Sequence, residues 1–68
     1  MNVIFVLTLT GEELATMVSN DVAGILAAAQ GVSVTFPQGE FKYDFHTLDH
    51  YLQDGAFQQE LVIFLKEV

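Results

Sequence analysis

The sequence predicts an α+β fold: a single small domain over residues 1–68, with elements in the order β-α-β-β-α-β. Its four-stranded antiparallel sheet carries both helices on one face. Three observations predict this. Apolar runs stand near the two ends, at Val3–Leu9 and Leu61–Lys66. Stretches with helical spacing lie between them. A proline-glycine connection at residues 37–40 joins two alternating segments in the middle.

Val3-Ile4-Phe5-Val6-Leu7-Thr8-Leu9 is rich in β-branched and aromatic residues, as a strand buried on both faces should be. Alternate side chains point opposite ways, so Val3, Phe5, Leu7 and Leu9 share one side and Ile4, Val6 and Thr8 the other. Thr10-Gly11-Glu12-Glu13 then has the spacing of a capping box. Leu14, Val18, Val22, Ile25 and Ala29 follow at helical intervals. The spacing predicts a helix over about 11–30, ended by Gly31 as a C′ glycine. Ser19-Asn20-Asp21 is a second possible cap within it.

Val32-Ser33-Val34-Thr35-Phe36 and Phe41-Lys42-Tyr43-Asp44-Phe45 alternate. Pro37-Gln38-Gly39-Glu40 between them predicts a hairpin. Its apolar face would carry Val32, Val34, Phe36, Phe41, Tyr43 and Phe45. Leu48, Tyr51 and Leu52 have the i, i+3, i+4 spacing of a short helix, with Thr47 as cap and Gly55 as terminator. Leu61–Lys66 closes the chain as a last strand.

This order resembles the split βαβ, ferredoxin-like arrangement. Heavy-metal-binding domains share it. Their Cys-x-x-Cys loop would fall at Thr8-Leu9-Thr10-Gly11-Glu12, so a copper-chaperone role does not carry over. The order, together with the passage Leu26-Ala27-Ala28-Ala29-Gln30-Gly31-Val32-Ser33-Val34, is also similar to that of amino-acid-sensing ACT domains. That resemblance implies a dimeric small-ligand sensor with its ligand at a dimer edge. The Asp-x-Pro-Gly-like turn usual before the first helix of those domains is absent here.

Composition excludes several functions. The 68 residues hold nine acids, two lysines, no arginine and no cysteine, for a formal net charge of −7. Disulfides, thiolate metal sites and cysteine nucleophiles are excluded. Direct binding to nucleic acid needs cations to neutralise phosphates, and this chain lacks them. An anionic membrane surface is disfavoured for the same reason. No basic n-region precedes the first apolar run, and no run approaches the roughly 18 residues of a membrane span. The default location is the cytoplasm.

No chemical motif stands out. His46 and His50 are spaced i, i+4, but no third metal ligand is specified. Neither Ser19 nor Ser33 sits in a nucleophile elbow. No glycine-rich phosphate loop is present. The chain reads as a non-enzyme without a cofactor.

The first and last strands are apolar on both sides. In an open sheet that leaves an apolar face, the usual mark of an interface. Self-association into a homodimer is expected through Ile4, Val6, Ile63 and Leu65. Acidity favours a basic partner, with Glu12, Glu13 and Asp21 as the expected contact face. The expected function is an acidic protein-binding module. One form is an inhibitor that occupies a basic, nucleic-acid-handling surface, as a small viral antagonist of host machinery does. The alternatives are the ACT-like sensor and a structural subunit of a larger assembly.

Overall fold

A strand buried at the centre of a sheet carries two rows of backbone N–H and C=O groups, and each row needs a partner. That requirement organises this chain. In the computed structural model, which describes all 68 residues, β1 (Asn2–Leu7) pairs on one side with β2 (Glu13–Val18) and on the other with β5 (Ala56–Glu67). The remaining elements are α1 (Val22–Ala29), β3 (Val34–Phe36) and β4 (Gly39–Gln53). The five strands stand in the order β2-β1-β5-β4-β3. β1 and β5 run parallel, and every other neighbouring pair is antiparallel.

Strands hold 62% of the chain. The architecture is therefore a five-stranded mixed sheet with one short helix. It is not the four-stranded, two-helix ferredoxin-like fold that the pattern predicts, nor the ACT-like one. Both helical readings need correction.

The first concerns residues 11–30. Thr10-Gly11 is a turn and not a helix cap. Gly11 adopts φ 74°, and its N–H donates to the Leu7 carbonyl at 2.8 Å. That reversal sends Glu13–Val18 back along β1. The helix starts later, at the second cap. Asp21 Oδ1 accepts from the Gly24 N–H at 3.1 Å, and Ser19 Oγ accepts from the Asp21 N–H at 2.9 Å. Gly31 follows it as expected.

The second concerns residues 47–55, which form no helix. They continue β4, and Asp54-Gly55 turns the chain directly into β5. Both turn residues have positive φ, 52° and 80°. That is the backbone of a two-residue hairpin whose twist suits its flanking strands.

The Pro37-containing hairpin forms, but its connection is the two residues Pro37-Gln38 and not the four of 37–40, with Val34 opposite Phe41 and Phe36 opposite Gly39. Its apolar face is shorter than the alternation predicts. Val32 lies outside the strand and is exposed. An irregularity between Tyr43 and Phe45 moves Phe45 to the opposite face. There its ring stacks on Phe64, with centroids 4.4 Å apart.

The core lies between the sheet and α1. Val3, Phe5, Leu7, Leu61, Ile63 and Leu65 face Ala29, with Val22, Ile25 and Leu26 packed around them. The sheet curls over this core. Phe36 sets its ring edge-on to Phe5, 5.2 Å away. Gln38 Nε2 donates to the Leu14 carbonyl at 3.2 Å. The turn after one edge strand thus reaches the other edge strand. No helix is long and apolar enough to cross a membrane.

Two measurements check this arrangement. Ile63 is fully buried, so Ile63→Ala should cost about 2–5 kcal/mol in urea unfolding. NMR should show interstrand backbone contacts between Leu48 and Leu61. A helix over 47–55 would give i to i+3 contacts there instead.

Candidate functional site

The β4–β5 hairpin is longer than the sheet that supports it. β5 meets β1 only from Glu60 onward, and β3 pairs with β4 only as far as Phe41. Residues 50–59 consequently project as a two-stranded ribbon, and the molecule measures 41 × 25 × 19 Å. A ribbon of this kind is marginal in water by itself. This one is rooted in the sheet through Leu61, Val62 and Ile63.

One side of the ribbon continues the helix-side face of the sheet. Paired residues share a face, and the register there pairs Leu48 with Leu61, His50 with Gln59 and Leu52 with Phe57. Leu61 is buried at the root. Leu52 and Phe57, near the tip, are 66% and 75% exposed. No element covers them, and α1 stays over the sheet proper. His50 Nε2 and Gln59 Nε2 lie 3.1 Å apart between them.

The second surface is the sheet face turned away from α1. Register places Ile4 beside Val62 and Val6 beside Phe64. Phe45 joins them through its stack on Phe64. This is the apolar open face that the sequence implies, with one correction to its membership. Ile63 and Leu65 are both 0% exposed and point into the core. The partners of Ile4 and Val6 are Val62, itself only 8% exposed, and Phe64, which is half-buried like Ile4 and Val6.

The three acids expected to form one contact face are not gathered. All three are exposed. Glu13 begins β2, with Glu12 beside it in the turn, whereas Asp21 caps α1 beyond the far end of that strand. Six residues of extended chain separate the two ends by about 17 Å. Glu13 is engaged locally, since Thr16 Oγ1 donates to its Oε1 at 2.8 Å.

Other acids lie at the root and tip of the ribbon, outside the face expected from Glu12, Glu13 and Asp21. Asp49 and Glu60 stand directly opposite each other, a like-charge cross-strand pair that disfavours the isolated strand pairing. Asp54 occupies the tip. Both lysines of the chain also face each other, Lys42 opposite Lys66. The Asp-Gly turn at 54–55, flanked by alternating residues, was the available signal for all of this.

His46 and His50 do not share a metal-sized site. In a strand, an i, i+4 pair lies on one face about 13 Å apart. His46 Nδ1 instead meets Tyr43 Oη at 2.6 Å, and no group of three or more metal-ligating side chains occurs. A small groove of about 240 Å³ opens between α1 and the sheet, lined by Phe5, Ile25, Ala28, Ala29, Ser33 and Val34. Ser33 is its one polar side chain, and no titratable group faces it. Comparisons with protein-family models, with curated proteins and with solved structures find no match to this chain.

The exposure of the ribbon sets an expected contrast in stability. Leu52→Ser together with Phe57→Ser should cost about 1 kcal/mol or less, the scale of one cross-strand pair. Leu61→Ala, at the buried root of the same face, should cost about 2–5 kcal/mol. Urea midpoints of the two variants make the comparison.

Proposed function

We propose that this chain is a non-enzymatic binding protein that acts by protein–protein contact, with the tip of the β4–β5 ribbon as its contact element. The observation that carries this reading is the exposed Leu52–Phe57 pair on a ribbon that no other element covers. Apolar side chains of this size held away from the core favour a partner's groove. Asp54 at the tip and the net charge of −7 favour a basic rim around that groove. An inhibitor that occupies a basic, nucleic-acid-handling surface fits this chemistry, in the cytoplasm as the default setting. The small-ligand reading drew on an ACT-like architecture that the chain does not have, and its remaining support is the apolar groove beside Ser33.

Capture from a nuclease-treated lysate of the source organism, eluted with rising salt, tests the reading when run as a comparison. The wild-type chain should retain a basic protein that moderate salt releases. Leu52→Asp with Phe57→Asp should abolish retention while circular dichroism stays that of the folded chain. Glu12→Gln with Glu13→Gln, at the opposite end of the sheet, should leave retention nearly intact. Retention that survives the Leu52/Phe57 change and disappears with the Glu12/Glu13 change would overturn the ribbon as the contact element.

A further inference from the structure

The open sheet face has a charge layout that is complementary to itself. Along β5 its residues are Glu60, Val62, Phe64 and Lys66 in turn, since alternate residues share a face. Asp49 lies opposite Glu60, and Lys42 lies opposite Lys66. One end of the face therefore carries a pair of carboxylates and the other a pair of ammonium groups. Phe64, Phe45, Ile4 and Val6 lie between them, with Thr47 and the buried Val62. These lysines are the only basic side chains besides the histidines, and no side-chain hydrogen bond within the chain holds either one. Each pair is a like-charge contact that disfavours the fold of one copy alone.

We propose that a second copy of this chain packs on the open face, related by a two-fold axis that crosses the strands level with Ile63. That operation reverses the strand direction and sets like strand over like strand. Register then places Lys66 over the second copy's Glu60 and Lys42 over its Asp49. Phe64 lies over Val62, and Val6 over Ile4. Two further acids have a register position on this face and meet no acid, while Asp44 falls in the irregularity of β4 and has no partner there. Glu13 overlies Thr16, and Glu40 overlies Tyr51. The alternative two-fold axis, parallel to the strands, would set lysines on lysines and carboxylates on carboxylates. Charge selects the first orientation, and the apolar strip supplies the buried area. Packed sheets stand about 10 Å apart, a gap that lysine and carboxylate side chains span together. Because the sheet curls toward α1, contact is confined to β1, β5 and β4. The dimer leaves Leu52 and Phe57 free and does not depend on the function proposed for them.

Sedimentation equilibrium over a concentration series, with circular dichroism to establish folding, tests the proposal. The wild-type chain should dimerise. Lys42→Glu with Lys66→Glu should raise the dimer Kd at least about tenfold. Asp49→Lys with Glu60→Lys should do the same, although it lowers the net negative charge and so relieves general repulsion. All four changes together should restore the dimer, because exchanging the ends keeps them complementary. An equimolar mixture of the two double variants should also pair. Lys42→Gln with Lys66→Gln, which adds no charge, replaces the glutamate variant if that one unfolds and should weaken the dimer in the same direction. A monomeric wild type would overturn the proposal. So would a dimer indifferent to the lysines, a dimer tightened by Asp49→Lys with Glu60→Lys, or a four-fold variant that stays monomeric.

Discussion

The parallel pairing of β1 with β5 is the contact on which everything else depends. It sets Val3, Phe5 and Leu7 beside Leu61, Ile63 and Leu65, and these six side chains make up most of the buried core. Two parallel neighbours cannot be joined by a tight turn. The whole of β2, α1, β3 and β4 therefore serves as their connection. β2 satisfies the second backbone edge of β1, and β4 that of β5. The helix covers one face of the pair, and the rest of the sheet wraps toward it.

The same pairing decides which surfaces are left over. A sheet with one short helix has only one covered face, so Ile4, Val6 and Phe64 stay half-exposed on the other, with Val62 buried between them. A hairpin longer than its support has a projecting end, so Leu52 and Phe57 stand away from the core. The two surfaces differ in chemistry. The sheet face is an apolar strip with opposite charges at its ends, which suits a symmetric contact. The ribbon tip is apolar on one side and acidic at its end, which suits a different partner. A chain of 68 residues buries a modest share of its surface on folding, and further burial by association adds to its stability.

Much of the fold was legible in short-range signals. Val3–Leu9 and Leu61–Lys66 read as strands, although β1 ends at Leu7, with Leu9 exposed in the turn, and β5 already begins at Ala56; the Pro37-containing hairpin was legible in its turn and its alternation. The two misread segments share a cause. Glu13–Val18 has helix-forming residues, but backbone demand along β1 overrides their preference. Leu48, Tyr51 and Leu52 fit a helical stripe, while His46, Leu48, His50 and Leu52 alternate equally well with Thr47, Asp49 and Tyr51. The Asp54-Gly55 pair settles that ambiguity as a hairpin turn, and its weight as a turn signal exceeds that of Gly55 as a helix terminator. Of the expected site, Ile4 and Val6 were legible as a second apolar face. The separation of Glu12 and Glu13 from Asp21 was not, because it follows from β2 being extended.

The sequence by itself determined some local events: the two apolar strands, the Pro37-containing hairpin, a candidate cap at Ser19-Asn20-Asp21, and a surface that is acidic with few cations. These follow from backbone and side-chain preferences over a few residues. Only the tertiary structure decided which strand lies beside which. It also decided which half of Leu61–Leu65 turns inward. A period of two separates Leu61, Ile63 and Leu65 from Val62 and Phe64 without saying which set is core. That choice came from the register against β1, a contact between residues nearly sixty positions apart in the sequence.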